Sequence, residues 1–227
     1  MKSIKIKDLS FAYQLGNSIF TNASLELPFN EITFLNGANG SGKTTLCRIL
    51  SGLEKGYTGF ININDLDLKP VSFTERAKSI IYLKQEPLSN IVAATPEEDL
   101  ALWQHGFDKH YDESSSELRE RVMERLRIND LKDKPFWELS GGQIKRIGLA
   151  ALLINYDKYW ILDEPISGLD NTLIRIFIEI LEERKALGKG CLIISHKEDY
   201  FVNLIDKNYF IENKKIESLP RGTFEKI

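Results

Sequence analysis

Cysteine is nearly missing. Cys47 and Cys191 are the two in 227 residues, too few and too far apart for a disulfide framework or a thiolate metal cage, so they read as reduced thiols. An excess of one charge is missing as well. Thirty Lys+Arg face 33 Asp+Glu, a net charge of −3, which argues against a chain-wide basic footprint and against a nucleic-acid partner. No run approaches the ~20 apolar residues that span a bilayer; the best, Gly148–Ile154, is followed by Asn155. The start, Met1–Lys7, alternates charge and Ile. It reads as a strand and not as a secretory leader, whose apolar stretch is ~7–15 residues. Membrane work would therefore need a partner to hold the chain there. What is present, 42% hydrophobic and 28% charged residues, suits a soluble domain with a real core, alone or carrying an inserted subdomain.

Short β-type runs recur at Ile4–Ile6, Ile32–Leu35, Phe60–Ile63, Ile80–Leu83, Tyr159–Leu162 and Leu192–Ile194. Between them lie helical patterns. Leu46, Ile49, Leu50 and Leu53 keep one face, as do Leu173, Ile176, Phe177, Ile180 and Leu181, with Gly188 as the expected stop. The alternation predicts an α/β fold with a mainly parallel sheet. Residues 88–155 are mostly helical in pattern and read as an inserted α-helical subdomain, leaving 1–87 and 156–227 as the α/β core. Within the insert, Ser114–Glu117 is a capping-box candidate. Tyr209–Ile211, Asn213-Lys214 and Lys215-Ile216 read as a hairpin.

The strongest local signal is Gly37-Ala38-Asn39-Gly40-Ser41-Gly42-Lys43-Thr44-Thr45, which fits G-x-x-x-x-G-K-[ST] between an apolar strand and a helical pattern. Glycines let consecutive backbone N–H groups face phosphate oxygens, and the helix N-terminus adds positive potential. Lys43 would meet the β/γ-phosphates and Thr44 a Mg²⁺ ion. The complementary half is Tyr159-Trp160-Ile161-Leu162-Asp163-Glu164. A carboxylate at the C-terminal end of a parallel strand lies on the ligand edge of the sheet. Asp163 is the Mg²⁺ candidate, though alone it could simply end a strand, and Glu164 is the candidate that polarises the attacking water. No Asn-Lys-x-Asp guanine reader occurs.

Leu139-Ser140-Gly141-Gly142-Gln143 precedes the helical pattern Ile144, Ile147, Ala151 and Ile154. Ser-Gly-Gly at a helix start is an anion site, or no more than a capped helix. Phosphate loop, pentapeptide and Asp163-Glu164 in this order make the chain resemble the ATP-binding subunits of ABC transporters over nearly its whole length. The resemblance implies a P-loop NTPase (RecA-like) core with N-terminal antiparallel strands and the helical insert. It implies ATP and Mg²⁺ as ligands. Leu139–Gln143 resembles the signature, with Ser140, Gly141, Gly142 and Gln143 against nucleotide. Ser167-Gly168-Leu169-Asp170 resembles the D-loop, with Asp170 at the nucleotide site. Gln85 resembles the Q-loop glutamine, catalytic and metal-binding, and His196 the switch histidine. Tyr13 resembles the aromatic residue that stacks on adenine, and Asn39, Gly40, Ser41, Gly42, Lys43, Thr44 and Thr45 are the nucleotide cradle. The implied partners are a second ABC ATPase domain, identical or related, in a head-to-tail pair, and a multi-span membrane subunit. The implied location is cytoplasmic, on the inner face of the cell membrane. His105 and His110 lie in a polar stretch and receive no role; Trp103, Trp137 and Trp160 read as packing residues.

The segment from Gln85 to Ala101, with Pro96-Glu97-Glu98-Asp99-Leu100-Ala101, resembles energy-coupling factor (ECF) transporter ATPases, including those of cobalt or nickel uptake. The departures are Glu86 for the usual Asn, Asn90 near a common second Gln, Ile166 for a common Thr, and an end at Ile227 before the C-terminal region many members carry. Cargo implied by this branch is a vitamin or a transition-metal ion. The alternatives are an ABC ATPase of DNA repair or translation, one of another importer or exporter class, an inert regulatory member, and a P-loop kinase. Only 96 positions separate Lys43 from Leu139, without the sustained heptads of the rod-shaped repair proteins. Translation-type members usually carry two such domains, and a kinase leaves the pentapeptide unexplained.

Overall fold

The computed structural model describes residues 2–13, 16–105, 113–220 and 223, without the side chains of 105 and 113–115. Two compact units emerge: Met1–Tyr82, Tyr159–Glu164 and Ile178–Ile227 form the first, Leu83–Lys158 and Pro165–Phe177 the second.

The first unit holds two sheets. One is antiparallel and contains β1 (Ser3–Ala12) and β2 (Ser18–Pro28), joined across β1 by β4 (Thr58–Ile63) and then β5 (Leu66–Asp67). In β1, Ile4 and Ile6 are buried by simple alternation. A register shift after Ile6, with Asp8 at φ 53°, resets the phase so that Leu9 and Phe11 stay on the buried side. β2 and β5 were not among the expected strands. β2 buries only Phe20, Ala23, Leu25, Leu27 and Pro28, spread among polar residues, so its apolar signal is thin.

The other sheet contains β3 (Ile32–Gly37), β6 (Ile80–Leu83), β7 (Tyr159–Asp163), β8 (Cys191–Ile194), β9 (Lys207–Glu212) and β10 (Lys215–Leu219), in the order β10-β9-β3-β8-β7-β6. β3 runs parallel to β8 and β9, and β7 parallel to β8; β9 and β10 form the expected hairpin, turning through Asn213 and Lys214 at φ 47° and 66°. Every residue of β3, β6, β7 and β8 is buried, as parallel strands covered on both faces require.

Helix α1 (Lys43–Ser51) packs Leu46, Cys47, Ile49 and Leu50 into one core with residues of both sheets. It ends at Gly52 in the left-handed region, so Leu53, expected on the helical face, falls outside the helix and is exposed. The four-residue α2 (Phe73–Arg76) brings buried Arg76 to that end of α1. Its guanidinium donates to the Ile49, Leu50, Leu68 and Val71 carbonyls, satisfying helix-terminal acceptors that burial would leave without water.

In the second unit lie α3 (Pro96–His105), α4 (Glu113–Arg125) and α5 (Gly141–Ile154), with α3 and α4 against α5. Helix α4 already begins at Glu113, so the expected cap Ser114 falls in its first turn, and its side chain is outside the described residues. His110 is outside them too. Trp160 is fully buried under the Arg184 guanidinium, 3.7 Å from its ring centre. Trp137 departs from the packing role: it is 80% exposed. Helix α6 (Asn171–Ala186) ends with Gly188 at φ 65°; Lys189 N–H donates to Arg184 O and Gly188 N–H to Lys185 O, the bond pair that closes a helix at glycine. Among the described residues no helix is long and apolar enough to cross a membrane.

Candidate functional site

Parallel pairing brings three strand ends to one edge of the sheet. Asp163 at the end of β7 is in register with Ile194 at the end of β8, and β3 runs the same way into the glycine loop. Loops leaving that edge therefore converge. The loop of residues 38–42 turns into α1 through Gly42 at φ 112°, where a β-carbon would lie 2.6 Å from Ile19 Cγ2. No side chain fits, which explains this glycine independently of any ligand.

Lys43 is almost buried, and its Nζ donates to the carbonyls of Gly37 and Ala38 at 2.5 and 3.1 Å. Burial lowers its pKa, while the nearby Glu164 and Asp163 act in the opposite direction. Ser41 Oγ is buried and finds no hydrogen-bond partner among the described residues, a donor suited to a phosphate oxygen. Thr44 Oγ1 donates to Asp163 Oδ2 at 2.8 Å. Hydroxyl and carboxylate are hard oxygen donors that fit Mg²⁺, which takes few protein ligands and completes its shell with phosphate and water. Among the described residues no group of three or more His, Cys, Asp or Glu could hold a metal by itself.

Tyr82 of β6 also donates to Asp163 Oδ2, at 3.1 Å. Burial chiefly, with Cys47 and Asp163 nearby, raises its pKa, so the phenol remains a donor. In the sequence Tyr82 sits in an apolar run and gives no functional signal.

Glu164 is 7% exposed and adopts φ 52°, rare for a residue with a side chain. Its carboxylate accepts the His196 backbone N–H at 2.9 Å and the Ser195 hydroxyl at 3.3 Å; His196 Nε2 lies 3.8 Å from Oε1. Tyr13 is half exposed. Its hydroxyl shares a hydrogen bond with Thr45 Oγ1 at 3.2 Å, and its ring meets Phe11 edge-on at 5.0 Å. The ring is thus fixed beside the start of α1 with much of its surface available. Tyr13, Ser41, Lys43, Thr44, Thr45, Asp163, Glu164 and His196, with Asn39 and Gly40 in the loop, all belong to the first unit.

Gln85, Ser140–Gln143 and Asp170 belong to the second unit. Gln85 is exposed, after β6. Buried Asn90 braces the backbone around it: Oδ1 accepts the Lys84 N–H at 2.9 Å, and Nδ2 donates to the carbonyls of Lys84 and Glu86 at 3.0 and 3.3 Å. The sequence sets Asn90 near the place of a common glutamine and carries no sign of this brace. Ser140 caps α5: its Oγ accepts the Gln143 N–H at 3.3 Å, while Gln143 Oε1 accepts the Ser140 N–H at 2.8 Å. The capped-helix reading is therefore realised, on a helix start where Ser140 and Gly141 stay exposed. Asp170 accepts the Leu173 N–H at 2.9 Å and pairs with Arg146 of α5 at 3.1 Å. Those two contacts, the Leu173 N–H first, lower its pKa.

A family model described as ABC transporter matches residues 20–167. An energy-coupling factor transporter ATP-binding protein of Thermotoga maritima is 34% identical over 202 residues, 87% of this chain and 74% of the relative. A putative ABC transporter ATP-binding protein of Clostridium tetani is 33% identical over 87% of this chain, which spans only 44% of that relative. CbiO1 of Clostridium perfringens, part of the ABC transporter complex CbiONQ, superposes with TM-score 0.77 at 25% identity, over 96% of this chain and 88% of that one. A dimeric ATP-binding cassette in a post-hydrolysis state with ADP and Pi has the same fold, with TM-score 0.82 at 20% identity over 96% of this chain and 99% of that one. With the family model matching well over half of its length, the chain belongs to the ABC transporter family, as one of its ATP-binding, ATP-hydrolysing subunits.

Proposed function

We propose that the chain powers uptake through an ABC transporter of the energy-coupling factor kind, hydrolysing ATP for import of a vitamin or a transition-metal ion. The observation that carries the ATPase reading is the 2.8 Å bond between Thr44 of the glycine loop and Asp163 of β7, residues 119 apart in sequence. The Thermotoga and Clostridium perfringens relatives support the branch.

ATP would lie with its adenine on Tyr13 and its phosphates along Asn39–Thr45. Lys43 would exchange its two carbonyl acceptors for phosphate oxygens, a charge-assisted and stronger pairing. Mg²⁺ would be held by Thr44 and Asp163 and would neutralise charge on the phosphates. Glu164 would take the proton of the attacking water, and His196 would face the γ-phosphate side. Ser140–Gln143 forms an exposed helix start whose capping box takes the Ser140 and Gln143 N–H groups and leaves those of Gly141 and Gly142 outside it, and a second ATPase domain paired head-to-tail would present that surface, with Asp170, to the nucleotide of its partner. ATP favours the closed pair because only closure adds these contacts, and hydrolysis removes them. In this reading the α/β core is 1–87 and 156–227, and the helical subdomain 88–155 with Gln85 hands the motion to a multi-span membrane subunit, which holds the chain on the inner face of the membrane. No nucleic acid takes part.

Detergent extraction after co-expression with the multi-span membrane protein of a neighbouring gene tests this. A stable complex whose ATPase rate depends on the membrane subunit is the expected result. ATP hydrolysis by a chain that binds no membrane protein would favour a non-transport ABC ATPase.

A further inference from the structure

Asp163 is 1% exposed, and a buried carboxylate needs donors to stay charged and oriented. Its Oδ2 accepts from Thr44 at 2.8 Å and from Tyr82 at 3.1 Å. The two donors differ in their obligations. Thr44 lies in the phosphate loop, and in the proposed function its oxygen would also face a metal on the nucleotide, so its direction would depend on loading. Tyr82 lies on β6, outside the phosphate loop, with its ring buried in the core.

We infer that Tyr82 is a positioning residue for the metal carboxylate: its hydroxyl fixes the Asp163 side chain in the orientation that receives the nucleotide's divalent cation. The inference rests on the assignment of Asp163 to that cation. Groups that orient a metal ligand through a hydrogen bond typically contribute ~10–100-fold in metal affinity or activity. A neutral phenol at this distance belongs at the lower end.

Tyr82→Phe keeps the ring and removes the hydroxyl. Mn²⁺ is titrated against the protein with a non-hydrolysable ATP analogue, free Mn²⁺ being read by its EPR signal, and analogue affinity is measured separately in EDTA. Tyr82→Phe is expected to weaken Mn²⁺ about tenfold while leaving affinity in EDTA unchanged; the lost buried hydrogen bond lowers the melting temperature whether or not Mn²⁺ is present. Added to Asp163→Asn, it is expected to change nothing further. Unaltered Mn²⁺ affinity in Tyr82→Phe beside a loss in Asp163→Asn would overturn the role of Tyr82 and leave Asp163 in place. Unaltered affinity in Asp163→Asn would overturn the metal assignment itself. A loss that persists in EDTA, or additivity in the double variant, would make the hydroxyl a packing group and overturn the inference.

Discussion

The carboxylate of Glu164 accepts the backbone N–H of His196 at 2.9 Å. Glu164 leaves β7 at φ 52°, and its own N–H is held by Ile194 O at 2.8 Å. The main-chain bond to Ile194 O and the side-chain bond from His196 N–H together hold a residue whose backbone conformation would otherwise cost ~1–3 kcal/mol. Strain of that kind at the end of β7 fits a side chain that must be aimed.

Glu164→Gln can still accept the His196 N–H through its carbonyl oxygen, so the aim should survive. It cannot take a proton from water. Turnover is expected to fall ~10²–10⁴-fold with nucleotide affinity kept or improved, and Mg·ATP should trap a dimer visible by size-exclusion chromatography. A wild-type rate would remove Glu164 from the role of base.

Ser140→Arg deletes the cap of α5, a loss of ~1 kcal/mol, and puts a bulky cation on the exposed helix start. Monomer affinity for ATP, measured by isothermal titration, should stay near wild type while hydrolysis disappears. Lys43→Ala should lose ATP affinity and turnover, because a phosphate-facing charge is gone. Mixed together, the two variants form dimers with one intact composite site and should regain part of the activity. A fall in monomer affinity in Ser140→Arg would place its helix start in the same-chain site.

Asn90→Ala removes three hydrogen bonds from the backbone flanking Gln85. Each buried group left unpaired costs ~1–3 kcal/mol, so the segment 84–91 should exchange its amide hydrogens faster. ATPase stimulation by the membrane subunit should drop more than the basal rate. Equal losses in both would make the brace merely structural.

Asp99 supplies a pH test. Burial raises its pKa to about 6 from 3.8, with the Val92 and Ala93 N–H groups opposing. A carboxyl with a raised folded pKa binds its proton more tightly in the folded state. Its contribution is therefore full below 3.8 and is lost as pH rises to about 6. Asp99→Asn keeps an oxygen for both N–H groups and does not titrate. The melting-temperature difference, variant minus wild type, should grow between pH 4 and 6 and level off above; a flat difference would refute the shift.

The motif residues could be read without coordinates because their chemistry is local: glycines, a lysine and a hydroxyl consecutive in chain, a carboxylate ending an apolar strand, a Ser-Gly-Gly heading a helix. The central strands were legible for the same reason, since β3, β6, β7 and β8 are buried on both faces and their apolar runs are continuous. β2 was not, because its buried residues are few and scattered among polar ones. Tertiary structure alone decided the contacts between distant positions. Arg76 caps α1 from 27 residues away, Tyr82 reaches Asp163 across 81, and the Glu164 carboxylate meets His196 across 32. Periodicity records which side of an element faces the core. It carries nothing about which buried donor will meet which acceptor, because strand order and register set that pairing and the cost of an unpaired polar group enforces it.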